Sequence, residues 1–138
     1  MPLTLTITEG LVPKEKEPGL FKELCDLMLR LHGILGNKAM SPNIVGSIQS
    51  IAKDSMYTGG ENNKAAFIEW KVPSFVFADH TVQAEYIKRA TDLVHEASNG
   101  QLDKTSIWVN VVHAVDGAWG INAEAMTNEQ LVAAIAHG

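Results

Sequence analysis

A strand pattern, a helix pattern and a second strand pattern follow one another over residues 3–51 of this 138-residue chain, and the same order restarts at residue 65. Residues 3–8 alternate Leu, Thr, Leu, Thr, Ile, Thr, the period of two that sends neighbouring side chains to opposite faces of a sheet. Pro18 suits a first helical turn, where its missing N–H costs nothing. Phe21, Leu24, Cys25, Met28, Leu31 and Leu35 then recur at spacings of three and four, the stripe of an amphipathic helix, and Gly33, Gly36 and Asn37 stop it. Residues 44–51 read as a second strand and residues 52–63, with Gly59-Gly60, as a hairpin region. In the second half, residues 65–72 read as a strand. A helix opens at Asp79 or Thr81, closes at Asn99-Gly100, and turns Val82, Tyr86, Ala90, Leu93 or Val94, and Ala97 inward. A β-branched strand over 107–112, a turn-rich stretch over 114–126 and a short helix over 127–136, capped by Thr127 with Gln130 three residues on, complete the chain.

The halves also correspond residue by residue in one place. Ala52, Asp54 and Tyr57 line up with Ala114, Asp116 and Trp119 at a constant offset of 62, as from Ala52 to Ala114. The expected organisation is one domain over 1–138 built from pseudo-repeats at about 2–63 and 65–126, followed by the terminal helix. The expected fold class is α+β: two tandem β-α-β units forming a four-stranded mixed sheet with two helices on one face. Each parallel pair requires a crossover, which should be right-handed. Such a sheet leaves one face bare, and association with further copies is the natural way to cover it.

Composition narrows the function classes. A net charge of −5 and eleven Lys+Arg without a basic block argue against nucleic acid. One cysteine excludes a disulfide framework, and Cys25 reads as core on its helix face. No apolar run reaches the ~20 residues that span a bilayer, and no leader pattern opens the chain, so no membrane partner and a cytoplasmic location are expected. Phosphate-loop and dinucleotide-binding glycine motifs are absent. His32, His80, His95, His113 and His137 lack metal-ligand spacing, so neither metal nor cofactor is expected.

Pro2 is the one position with chemistry of its own. Met before a small residue is normally removed, and its removal here exposes a prolyl secondary amine. An α-amino group titrates near ~8, already closer to neutrality than lysine, and burial lowers it further. At the start of a strand inside an apolar cavity it becomes a general base usable at neutral pH, or a nucleophile toward carbonyls.

The surroundings of Pro2 carry a resemblance. Pro2-Leu3-Thr4-Leu5-Thr6-Ile7-Thr8-Glu9-Gly10 resembles the opening of 4-oxalocrotonate tautomerase. Residues 105–112 through Gly117-Ala118-Trp119-Gly120-Ile121 look like that family's second strand and hairpin, without gaps, and Tyr57-Thr58-Gly59-Gly60-Glu61 ends the first half similarly. With the duplicated β-α-β order, the resemblance is to the tautomerase superfamily and in particular to its fused, double-length members, such as malonate semialdehyde decarboxylase and cis-3-chloroacrylic acid dehalogenase. It implies a homotrimer whose sheets line a central barrel, a catalytic proline at Pro2, and an apolar wall at Trp119. The second half begins with Ala65-Ala66, so one active site per chain is implied.

The sequence departs from the family where substrate carboxylates are anchored. Arginine forks match that anion in relatives. Here the second-strand positions hold Trp108 and Val45, and residues 73–80 contain no arginine. The dehalogenase's water-activating glutamate corresponds to Ala118, and its strand tyrosine to Asn110. The expected activity is therefore keto-enol tautomerisation of a small carbonyl or carboxylate substrate, a 2-oxo or enol acid, with Pro2 as base. Asn110, His80 and the Trp108 indole are candidates for stabilising oxygen, with Lys71 supplying charge. The alternatives are a superfamily decarboxylase or dehalogenase acting on a three-carbon acid, a catalytically vestigial trimeric binding protein, and an unrelated two-unit α+β binding protein.

Overall fold

Alternation in the first strand decides which side of the sheet becomes core. In the computed structural model, which describes residues 1–138, β1 (Pro2–Thr8) buries Leu3, Leu5 and Ile7 and leaves Pro2, Thr4 and Thr6 half-exposed on the other side. The chain continues through α1 (Glu17–Leu31), β2 (Val45–Ile51), the hairpin β3 (Tyr57–Thr58) and β4 (Glu61–Asn62), β5 (Ala66–Pro73), α2 (His80–Ala97) and β6 (Ile107–Ala114). The hairpin β7 (Trp119–Ile121) and β8 (Glu124–Met126) and the terminal helix α3 (Asn128–His137) follow. The main sheet has the order β2-β1-β5-β6. β1 runs parallel to β2 and β5 parallel to β6, while β1 and β5 meet antiparallel in the middle. This is the α+β fold with a four-stranded mixed sheet that the repeated pattern predicts.

One face of the sheet is covered by both long helices. α1 buries Leu20, Leu24, Leu27, Met28 and Leu29, and α2 buries Tyr86, Ala90 and Val94. A buried relay ties sheet to helices: the Trp70 indole N–H donates to the Tyr86 hydroxyl at 2.8 Å, which donates to the Leu24 carbonyl at 3.1 Å. Both polar groups are thereby satisfied in a dry layer, where an unpaired one would cost about 1–3 kcal/mol. Gly46, paired with Leu3, leaves no room for a side chain: a Cβ there would collide with the Leu3 carbonyl and the Phe21 ring of α1.

Most local signals hold, with one correction. Asp79 caps α2 by accepting from the backbone N–H of Thr81 and Val82, and Thr127 with Gln130 forms a capping box on α3. Leu35, however, is not on α1. The helix stops at Leu31 and Gly33 takes the left-handed conformation (φ 68°), so Leu35 lies in the following loop, 51% exposed. Leu20 and Leu27 join the inner stripe, while Phe21 and Cys25 lie half-buried at its margin.

The opposite face carries no element of this chain. By register it presents Val45, Phe67, Lys71, Trp108, Asn110 and Val112, all exposed. No helix is long and apolar enough to cross a membrane.

Candidate active site at the head of the first strand

Strand direction brings the two ends of the chain together. β6 is parallel to β5 and therefore antiparallel to β1, so Val112, level with Lys71, lies at the height where β1 begins. The chain leaving β6 emerges beside Pro2 and folds back through Asn122 and Ala123, both at positive φ, to form the β7–β8 hairpin. The result is a cavity of about 450 Å³ in which Met1, Pro2, Asn43 and Val45 face Ala118, Trp119, Ile121 and Asn122. Trp119 is half-buried and packs against the core, closing the apolar side.

The nitrogen end of β1 is desolvated. Met1 is 4% exposed, its α-ammonium donates to the Asn43 carbonyl, and its own carbonyl accepts from the Val45 N–H at 3.2 Å. Burial penalises the charged form and lowers this amine from its ordinary 8.0 to about 6. Met1 also walls a second cavity of about 250 Å³ between α1 and α3, lined by eight other residues that include Met28, His32, Met40 and Phe75. α3 is held over it by the Asn37 side-chain amide donating to the Ile135 carbonyl at 2.9 Å and by Asn128 donating to the Ser74 hydroxyl at 2.8 Å.

The sequence-predicted residues divide by position. Pro2 and Trp119 share one cavity. Lys71 stands on the open face of β5, one step past the Leu3–Trp70 pair and so level with Pro2. Its ammonium lies 3.7 Å from Glu69. Asn110 is level with Thr4 two strands away. Trp108 is level with Thr6, four residues further along, or about 16 Å from Pro2 by strand rise and spacing. Within one chain neither lines the Pro2 cavity. His80 opens α2 in an exposed position, its ring Nδ1 3.4 Å from the Gln83 side-chain amide oxygen, and it too lies outside the cavity. Both arginines of the chain, Arg30 and Arg89, sit on the helices beside Glu23 and Glu85, and neither lines the cavity.

Other chemistry-bearing groups are engaged elsewhere. His32 is locked between two backbone groups: one ring nitrogen bonds the Met28 carbonyl at 2.8 Å and the other accepts the Phe77 N–H at 3.0 Å. A larger groove of about 600 Å³ beside α1 contains Cys25, whose thiol burial pushes up to about 11, leaving it protonated and unreactive at neutral pH. No cluster of three His, Cys, Asp or Glu side chains forms a metal site. Sequence reasoning missed the burial of Met1 and the contribution of Asn43 and Asn122. The first had a signal: residue 1 is in phase with Leu3, on the core side of β1.

No family model matches this sequence, and no curated protein matches it. Solved structures do. A fused 4-OT, described as a symmetric trimer, superposes with a TM-score of 0.75 at 15% identity over 95% of this chain and 98% of its own. N1, a member of the cis-3-chloroacrylic acid dehalogenase family, gives 0.72 at 12% identity over 91% and 83%. The macrophage migration inhibitory factor-like protein of Entamoeba histolytica gives 0.69 at 16% identity over 91% and 97%. This chain has the fold of the tautomerase superfamily.

Proposed function

We propose that the chain, once Met1 is removed, is a tautomerase that uses the secondary amine of Pro2 as a general base. The observation that carries this reading is the position of Pro2: at the head of β1, in a cavity walled by Trp119, next to Met1, whose own amine burial lowers. The neutral amine takes a proton from the carbon next to a carbonyl. The C–H electron pair moves into the new C=C bond and the carbonyl electrons onto oxygen, giving an enolate. The prolinium then delivers its proton to that oxygen, giving the enol, or to the far end of a conjugated system, and ketonisation runs the same steps in reverse. Developing negative charge on oxygen needs a partner, and with both arginines on the helices, Lys71 is the cation level with the amine.

The open sheet face, with Phe67, Trp108 and Val112 exposed, supports a homotrimer in which three such faces meet. The fused 4-OT that superposes on this chain is a trimer.

The test is intact-mass analysis of purified protein before and after 3-bromopropiolate, with ketonisation of phenylpyruvate followed in wild type and Pro2→Ala. Loss of the Met1 mass, single labelling at Pro2 and activity that disappears in Pro2→Ala are expected. Processed protein that neither labels nor turns over overturns the reading. It favours instead a catalytically vestigial trimer, a second reading supported by the absence of arginine around the cavity.

A further inference from the structure

Met1 is the shared wall of two cavities. One, about 450 Å³, holds Pro2 and the Trp119 hairpin; the other, about 250 Å³, lies between α1 and α3. The alternation of β1 explains how one residue borders both. Pro2 faces the open side, Leu3 the helices, and residue 1 is in phase with Leu3, so its side chain enters the core layer. Removing Met1 deletes the partition. The Pro2 nitrogen is then left at the mouth of an apolar chamber lined by Met28, Ile34, Met40, Phe75, Val132 and Ile135.

The chamber's chemistry defines what it accepts. No charged side chain lines it. Its one polar ring, His32, has both nitrogens committed to backbone groups, so it offers no free hydrogen bond. Even before the Met1 side chain is subtracted, its volume exceeds the roughly 150 Å³ of apolar cavities that hold a benzene ring.

Resting on the reading of Pro2 as base, we infer that the space vacated by Met1 is a specificity subsite for an uncharged, apolar substituent on the substrate. The substrate class is a 2-oxo acid with an aliphatic or aryl group beyond C3. The carbonyl and C3 lie at the Pro2 nitrogen, the carboxylate end faces the Trp119 hairpin and Lys71, and the tail enters the chamber between α1 and α3. A dicarboxylate would bury an unpaired charge there and is rejected.

The test uses Met1-processed protein and deuterium exchange at C3 of straight-chain 2-oxo acids from 2-oxobutanoate to 2-oxoheptanoate in D2O, read by proton NMR. Pro2 removes the C3 proton, and a deuteron from solvent replaces it. The expected kcat/KM rises about fourfold per added methylene, the worth of burying one CH2 group. Filling the chamber in Ile34→Trp, and separately in Val132→Trp, is expected to lower the ratio of 2-oxoheptanoate to 2-oxobutanoate exchange at least tenfold. Labelling at Pro2 reports that each variant is folded. A flat series in wild-type protein that still labels at Pro2 overturns the subsite and leaves the base standing. So does an unchanged ratio in both folded variants. Protein that exchanges no acid and does not label loses both readings.

Discussion

Each half of the chain ends its parallel strand pair in a short hairpin, yet the two strands that head the halves begin in different surroundings. β1 starts in a cavity, with Trp119 half-buried over Pro2. β5 starts sealed. Ala65 and Ala66 are 1% and 0% exposed, and Thr8 locks Ala65 in place, its hydroxyl donating to the Ala65 carbonyl at 3.2 Å and accepting the Ala65 N–H at 3.0 Å. The corresponding hairpin aromatic, Tyr57, is 59% exposed, and its hydroxyl donates to the Asp54 carbonyl within its own turn. A strand head that continues a chain has no free amine, and its backbone groups must be paired. The repeat supplies two similar frames, one whose leading strand opens into a cavity and one whose leading strand is sealed.

The sharpest way to break this comparison is at the two heads. Pro2→Ala exchanges a secondary for a primary amine and removes the ring that holds it, and kcat/KM for ketonisation is expected to fall by about 10²–10⁴. Next comes the hairpin pair. Trp119→Ala opens the cavity to water, with an expected loss of about 10-fold or more in kcat/KM and about 2 kcal/mol in unfolding free energy. Tyr57→Ala is expected to change stability by less than about 0.5 kcal/mol and activity not at all, as chemical denaturation and the same assay will read.

The amine's titration sharpens the same point. Burial lowers the Met1 amine below its ordinary value, and the same apolar surroundings act on the Pro2 amine that replaces it, so kcat/KM is expected to stay level to below pH 8 and to fall tenfold per unit beneath the amine's pKa. An exposed amine would instead break near ~8. The sealed head is tested by stability alone. Thr8→Val keeps the shape and removes both hydroxyl bonds to Ala65, costing about 1–3 kcal/mol in denaturant unfolding while leaving turnover intact.

Much of this architecture is legible in the chain because it is written in local periodicities and caps. The Leu-Thr alternation marks β1 and its buried face, Asp79 and the Thr127–Gln130 box start their helices, and the repeated β-α-β order predicts the four-stranded sheet. Leu35 shows the limit of periodicity. It keeps the helical spacing, but two residues earlier Gly33 adopts a conformation that an α-helix cannot contain. Candidate site residues were legible as types rather than as neighbours. Lys71 is level with Pro2 because the β1–β5 register puts it there, whereas Trp108, two strands from β1, is four residues too far along.

By itself, then, the sequence determined the strands, the helices and their caps, since each depends on side chains within a few residues of one another. Only the tertiary structure decided that the β7–β8 hairpin covers the head of β1, and that Met1 divides two cavities. Those outcomes depend on strand direction and register across the sheet, which bring together residues from opposite ends of the chain. Hydrophobic burial is indifferent to separation along the chain, so its results cannot be read from a window of neighbouring residues.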